Sequence, residues 1–354
     1  MLDVRKPGLL GLTVLALLGP TGAAVAQSGP SAALTAAGEL PVVATFSYSS
    51  GNKDDAAEIR GAVHGIRRIP GGTAVYYSLG VAPGETFNPV STMPMIGLAE
   101  PYAGGDAFAV RVIDPEGLLL YQPLHGAQGC LCSEVFDFSR ESGRLSLGWA
   151  VLPELPAEVG TVSLLLGFGS AEDVAVEDGP LLPGVSTTPL LLGQGWPQLP
   201  TAAEITQVGD QKPFVRTLVR RTADRKQVVT TSETSGTVDE ALSADVLFAV
   251  GSATLSPAAR GTLQQVAQRL MARANGPVAV VGHTDTTGGG PANQALSEAR
   301  ARAVRDALQA AVGAGVSFTA TGKGETQPVA DESTPDGRQA NRRVTVTYTV
   351  KPGS

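Results

Sequence analysis

Only two cysteines occur in 354 residues. A small fold stapled by a disulfide framework is therefore excluded, and buried apolar side chains must supply the stability. Aromatic residues are scarce at 5%, which counts against a lipid-facing barrel with its aromatic girdles at both interfaces. Basic residues are outnumbered, 26 Lys and Arg against 33 Asp and Glu, for a formal net charge of -7. Phosphate binding needs a clustered basic surface, so nucleic acid is excluded as a partner. No apolar run reaches the ~20 residues that span a bilayer as a helix. What is present is a 43% hydrophobic chain long enough for two domains of about 150 residues each.

The start of the chain has a charged piece at Arg5 and Lys6, an apolar run over 9–18, and then Ala24-Val25-Ala26. That order matches the charged, apolar and small-residue regions of a secretory signal peptide. Residues 1–26 are expected to be removed, and Gln27 then leaves no cysteine to carry a lipid. The Ala-, Ser- and Gly-rich stretch 27–40 reads as a flexible lead-in. The expected product is exported and associated with the periplasm, the outer membrane or the cell wall.

From residue 41 the chain alternates short β-favouring runs with breakers. The runs cover 42–48, 62–69, 73–81, 107–113, 118–121, 145–152 and 161–168, and breakers such as Pro70-Gly71-Gly72 separate them. Short strands at this spacing, without a sustained helical period, predict an all-β immunoglobulin-like sandwich over 41–180. Residues 181–241 read as a linker with some local structure. Its cluster Arg220, Arg221, Arg225 and Lys226 is either a solvated surface or a contact for an anionic wall polymer.

Beyond residue 242 strand and helix patterns alternate. A strand is predicted over 246–248, then a helix capped by Ser256 with Pro257 at its first position. Leu263, Val266, Ala267, Leu270 and Met271 form the stripe of that helix. A buried strand follows over 278–281, then a helix over 293–311, a strand over 316–321 and a last strand over 343–350. This βαβαββ order predicts a compact α/β sandwich over 242–350, with helices on one sheet. The fold class is thus multidomain, all-β followed by α/β.

One residue breaks its local rule. At about 100° per residue, Leu296, Ala299, Ala303, Val304, Ala307, Leu308 and Ala311 share a broad face, and Arg300 falls near its centre. A guanidinium cannot shed its proton there and needs a partner. Asn293 lies on the same line two turns earlier. The preceding loop, Gly282-His283-Thr284-Asp285, leaves a buried strand and brings a carboxylate close. Either Asp285 pairs with Arg300 or caps the helix, or the two hold a ligand carrying both an amine and a carboxylate, such as the free end of an amino acid.

Gly282-His283-Thr284-Asp285, Asn293, Leu296-Ser297, Arg300-Ala301, Gly337-Arg338 and Asn341-Arg342-Arg343-Val344, in that order and spacing, resemble the OmpA C-terminal-like family over about 242–348. The resemblance implies non-covalent binding of peptidoglycan through the diaminopimelate of its stem peptide. Asp285 would accept the amine and Arg300 hold the carboxylate. Asn293 and Arg342 would add hydrogen bonds, with the backbone at Gly251 and Thr287 lining the pocket. This chain departs from the family at Ala249, where an acidic residue often follows the first-strand Phe.

Cys130 and Cys132 suit an intramolecular disulfide in an exported chain, or two free thiols. His125 lies nearby, but no fourth ligand completes a metal site, and no cofactor is implied. Gly288-Gly289-Gly290 lacks the Gly-Lys-Ser/Thr ending of a phosphate loop. With only His64, His125 and His283 to draw on, a Ser-His-Asp hydrolase is hard to assemble, and a non-enzymatic binding protein is expected. The N-terminal domain would then face another envelope protein or polymer. The alternative is a porin-like outer-membrane β-barrel tethered to the wall by the same C-terminal domain.

Overall fold

The computed structural model describes residues 40–49, 57–86, 88, 110–224 and 228–350. The signal-peptide assignment and, apart from Leu40, the lead-in lie outside the described residues, as do Arg225 and Lys226.

The N-terminal half is β-rich. Its strands are β1 (Ala44–Ser49), β2 (Glu58–Ile69), β3 (Gly72–Val81), β4 (Arg111–Asp114), β5 (Leu119–Tyr121), β6 (His125–Gly126), β7 (Gly129–Cys130), β8 (Ser146–Leu152), β9 (Thr161–Leu166) and β10 (Gly169–Asp178). After them come β11 (Gly184–Val185), β12 (Trp196–Pro197), the short helix α1 (Ala202–Thr206) and β13 (Val215–Thr217). An immunoglobulin-like sandwich has two separate sheets. Here nine strands join in one hydrogen-bonded path, β13-β5-β4-β9-β10-β2-β3-β8, with β1 on β2. The connection is made by β10, which pairs antiparallel with β9 over its first half and parallel with β2 at Val176–Asp178. Apolar side chains from distant strands, Val75 and Leu79 of β3 with Val112 of β4 and Leu164 of β9, belong to one buried cluster. The sheet therefore bends round a common core.

Residues 181–241, expected to be a linker, contribute to both halves. Trp196, Ile205 and Phe214 are buried with Tyr76 and Leu124 against the N-terminal sheet, and β13 pairs with β5. Their Pro- and Gly-rich surroundings hid these isolated anchors, since no period links them. Further on, β14 (Arg220–Ala223), β15 (Val229–Glu233) and β16 (Thr237–Ser243) extend the C-terminal sheet.

That sheet has the order β14-β15-β16-β19-β17-β18. It is completed by β17 (Val278–Gly282), β18 (Phe318–Gly322) and β19 (Arg343–Thr349), with helices α2 (Ala244–Leu247), α3 (Ala259–Arg273), α4 (Gly290–Val312) and α5 (Pro335–Asn341). Strands β17 and β18 are parallel, and α4 is the crossover that parallel strands require. The core joins Val238, Leu242, Val278, Val280, Val344, Val346 and Tyr348 of the sheet to Leu263, Val266, Leu270, Val304 and Leu308 of the helices. Met271, predicted to join the α3 stripe, is 57% exposed. The strand predicted over 246–248 is instead the turn of α2, where the Phe248 N–H donates to the Ala244 carbonyl at 2.9 Å. The sheet position it was to fill belongs to β16. There Glu240 breaks the apolar alternation, yet it is fully buried because Arg269 and the Tyr348 hydroxyl satisfy its carboxylate.

Two glycines set how closely α4 sits on the sheet. Gly282 and Gly322 are register partners on β17 and β18. A Cβ on Gly282 would stand 2.1 Å from the Ser297 carbonyl oxygen, and one on Gly322 2.5 Å from the Glu298 backbone nitrogen. Backbone atoms cannot yield that much. Gly282→Ala is therefore expected to lower unfolding free energy by about 1–3 kcal/mol in urea titrations; an unchanged midpoint would show that the helix can ride further from the sheet.

The fragment 219–350 retains all six strands and is expected to melt cooperatively by circular dichroism. The fragment 245–350 lacks β16, which buries Val238 and Leu242 at about 1.5–3 kcal/mol each. It is expected to lose that transition, and an equally sharp melt would show β16 to be dispensable.

Candidate functional site

The topology gathers polar residues at one end of the C-terminal sheet. Gly282, at the end of β17, pairs with Val344 near the start of β19, and Ser243, at the end of β16, pairs with Arg343. The segments leaving or entering the sheet here carry Asp245, Asp285 and Arg342, and the first half of α4 closes over them. Between these elements lies a cavity of about 590 Å³. Asp245, Phe248, Asp285, Asn293, Arg300 and Arg342 are among its walls, as are Gly251 and Thr287. All six residues singled out from the sequence, namely Gly251, Asp285, Thr287, Asn293, Arg300 and Arg342, thus border one space.

The buried residues of α4 are Asn293, Ser297, Arg300, Ala301, Val304 and Leu308. One face of the helix is therefore polar in its first half and apolar in its second. Ala311, placed on the apolar face by the wheel, is exposed. Arg300 is only 5% exposed. Its Nε donates to the Ser252 carbonyl at 2.9 Å, and its guanidinium carbon lies 5.2 Å from the centre of the Phe248 ring. A cation over an aromatic face is held electrostatically. Among the described residues Arg300 forms no ion pair. Burial pushes its guanidinium below the ordinary arginine value; Asp245 and Asp285 pull it back up, and Arg342 pushes it further down.

Asp285 neither pairs with Arg300 nor caps α4, whose cap is Gly289 without a side-chain bond. Its Oδ1 accepts from the Thr287 N–H at 2.9 Å and its Oδ2 from Arg342 Nη1 at 2.6 Å. Arg342 also grips Asp245 with two parallel bonds, Nε to Oδ1 at 2.8 Å and Nη2 to Oδ2 at 2.6 Å. Such bidentate pairs are strong and directional. Burial works against the Asp285 anion, but the Arg342 and Thr287 bonds outweigh it and hold the carboxyl below its ordinary value. Asn293 donates to the Asp285 carbonyl at 3.2 Å and to Glu325 at 2.5 Å, which fixes the loop against the helix.

Asp245, Phe248, Ser252 and Glu325 were not singled out as site residues. Asp245 was hidden because α2 was read as a strand. The Phe248 ring and the Ser252 carbonyl carry no sequence signal for this role. Thr284 carries no signal beyond its place in the Gly282–Asp285 motif, yet its Oγ1 is buried without a hydrogen-bond partner among the described residues, beside the cavity.

Elsewhere, Cys130 and Cys132 are joined by a disulfide. Among the described residues no group of three or more His, Cys, Asp or Glu could hold a metal ion.

Residues 247–342 match the model of the OmpA family. The chain carries an OmpA family domain. Over 103 residues it is 40% identical to the probable lipoprotein YiaD of Escherichia coli, covering 29% of this chain and 47% of that protein. It is 39% identical over 101 residues to the peptidoglycan-binding protein ArfA of Mycobacterium tuberculosis, covering 28% and 31%. The outer-membrane lipoprotein YfiB of Pseudomonas aeruginosa is 38% identical over 105 residues, covering 30% and 62%. The chain thus spans less than two thirds of each of these relatives. Among solved structures, the cell wall anchor of the T6SS from Pseudomonas aeruginosa is 34% identical, with a TM-score of 0.34, covering 36% of this chain and 91% of that one.

Two acid-sensitive windows follow from the electrostatics of this OmpA-like domain. His283 is 4% exposed, and burial, followed by Arg343 and Lys323, pushes its imidazole down from 6.5 to about 4. The unfolded chain then binds the proton more readily, so His283 costs stability as pH falls from 6.5 to about 4. Asp285 acts lower, because a depressed carboxyl stabilises above its unfolded value near 3.8 and loses that as pH falls further. Urea titrations across pH 3–7 are expected to show a shallower slope between 6.5 and 4 for His283→Gln; a slope equal to the parent's would assign the window to other groups.

Proposed function

We propose that the OmpA-like domain binds peptidoglycan non-covalently, by the free amine and carboxylate of diaminopimelate in the stem peptide. The observation that carries this reading is the buried Arg300, whose charge faces a cavity without an ion-pair partner among the described residues, while the nearby Asp285 is turned toward Arg342. An unpaired buried charge costs several kcal/mol, and a ligand carboxylate removes that cost. Asp285 retains lone pairs for an ammonium on the other side. The four charged residues of the wall, Asp245, Asp285, Arg300 and Arg342, sum to zero, which suits a zwitterion. Asn293, Arg342, the Gly251 and Thr287 backbones and the unpaired Thr284 hydroxyl supply further hydrogen bonds. Among the relatives, one is named for peptidoglycan binding and two are lipoproteins, which supports a role in the cell envelope. The protein is then exported, associated with the periplasm, the outer membrane or the cell wall, and holds its ligand without transforming it. The N-terminal sheet presents its surface to another envelope protein or polymer.

Arg300→Ala is expected to abolish co-sedimentation with purified sacculi while the melting temperature stays within about 4 °C of the parent. Retained binding by a folded variant would overturn the assignment. Asp285→Asn is expected to weaken binding of diaminopimelate in calorimetry by about 1.5–3 kcal/mol, the worth of a hydrogen bond to a charged group. An unchanged titration would contradict the role given to its carboxylate.

A further inference from the structure

The only two cysteines of the chain form a bridge across a single residue, Leu131. Disulfide stabilisation through chain entropy grows with the loop that is closed, so a bridge across one residue adds little to the fold. The segment is also secured without it. The Leu131 N–H donates to the Leu124 carbonyl at 2.7 Å, the Leu131 carbonyl accepts from Val151 at 2.8 Å, and the Ser133 N–H donates to the Trp149 carbonyl at 2.9 Å. The two sulfurs would therefore remain neighbours if their bond opened.

The sulfurs differ in access. Cys132 is 7% exposed and belongs to the N-terminal core, whereas Cys130 is only partly buried beside it. Cys130 also borders a cavity of about 800 Å³, separate from the site at the C-terminal sheet, with Leu131, Trp149 and Val208 as apolar wall and Gln128 and Gln198 as amide donors and acceptors. His125 stands directly opposite Cys130 in the β6–β7 hairpin, where the side chains of a pair share one face.

We infer that Cys130–Cys132 is a thiol–disulfide exchange site whose substrate is an extended polypeptide segment carrying two reduced cysteines. A substrate thiolate attacks Cys130 Sγ, the Cys130–Cys132 bond breaks, and its electron pair leaves on Cys132 Sγ, which takes a proton from solvent. The second substrate thiolate then attacks the substrate sulfur of the mixed disulfide and expels Cys130, which is protonated in turn. The substrate loses two electrons and two protons and gains a disulfide, while Cys130 and Cys132 become two thiols. The amide-rimmed, apolar-floored cavity receives the backbone and side chains that flank the attacking cysteine.

The test mixes the oxidised full-length chain with a reduced synthetic peptide containing two cysteines four residues apart, and follows single-turnover oxidation by mass spectrometry. One peptide disulfide per chain is expected, formed at least about tenfold faster than by an equal concentration of oxidised glutathione. A rate equal to glutathione's, or a bridge that survives, would overturn the proposal. With the oxidised peptide, Cys132→Ala is expected to accumulate a mixed disulfide at Cys130, and Cys130→Ala to form at least about tenfold less at Cys132. Equal trapping at both positions would remove the assigned order of attack. Reduction of the parent chain is expected to leave its melting temperature nearly unchanged, and a large fall would make the bridge a structural one.

Discussion

The site at the end of the C-terminal sheet depends on which arginine holds the buried carboxylate. Arg342 joins Asp245 and Asp285 in one clamp. Asp285, which a simple pairing would have given to Arg300, is thereby committed elsewhere. Arg300 is left with a backbone carbonyl and an aromatic face, enough to orient a guanidinium though not to neutralise it. A fold selected for stability alone would place an apolar side chain here, because replacing buried ions with packed hydrophobics is often neutral or stabilising. On the proposed reading, the uncompensated cation is the part of the site reserved for a ligand.

Everything that positions the clamp follows from the sheet. Antiparallel pairing of β19 with both β16 and β17 puts the end of two strands and the start of the third at one edge, so residues nearly a hundred positions apart meet there. Glycines at Gly282 and Gly322 let α4 approach until Ser297 touches the strand backbones. The first half of α4 then roofs the cavity while the second half, through Val304 and Leu308, packs the core. Binding and packing thus use two stretches of one helical face.

Much of this was legible in the sequence, for identifiable reasons. Arg300 stood out because a helical period makes a misplaced charge visible, and β19 because Val344, Val346 and Tyr348 alternate with threonines. Partner choice was not legible. Whether Asp285 bonds Arg300 or Arg342 depends on tertiary placement that local patterns do not encode, and Asp245 lies on a turn whose apolar neighbours Val246 and Leu247 imitate a strand. β16 was obscured by Glu240, a charge on the buried face that only tertiary partners satisfy. In the N-terminal half, short strands were recognisable one by one, but the path of β10 from β9 to β2 is a long-range pairing, and local patterns do not encode which strands become neighbours. Trp196 and Phe214 were passed over because single anchors between Pro and Gly carry no period.

The central claim is that the cavity recognises an amine and a carboxylate together. Lysine blocked as its Nα-acetyl amide presents a free side-chain amine on the same carbon chain but no neighbouring carboxylate, so comparison with diaminopimelate isolates the contribution of Arg300. Isothermal titration of the intact protein with each compound is the direct measurement. Measurable binding of diaminopimelate is expected, with at least about a tenfold weaker response to the blocked lysine, the equivalent of 1.4 kcal/mol. Equal affinity for the two would contradict the claim.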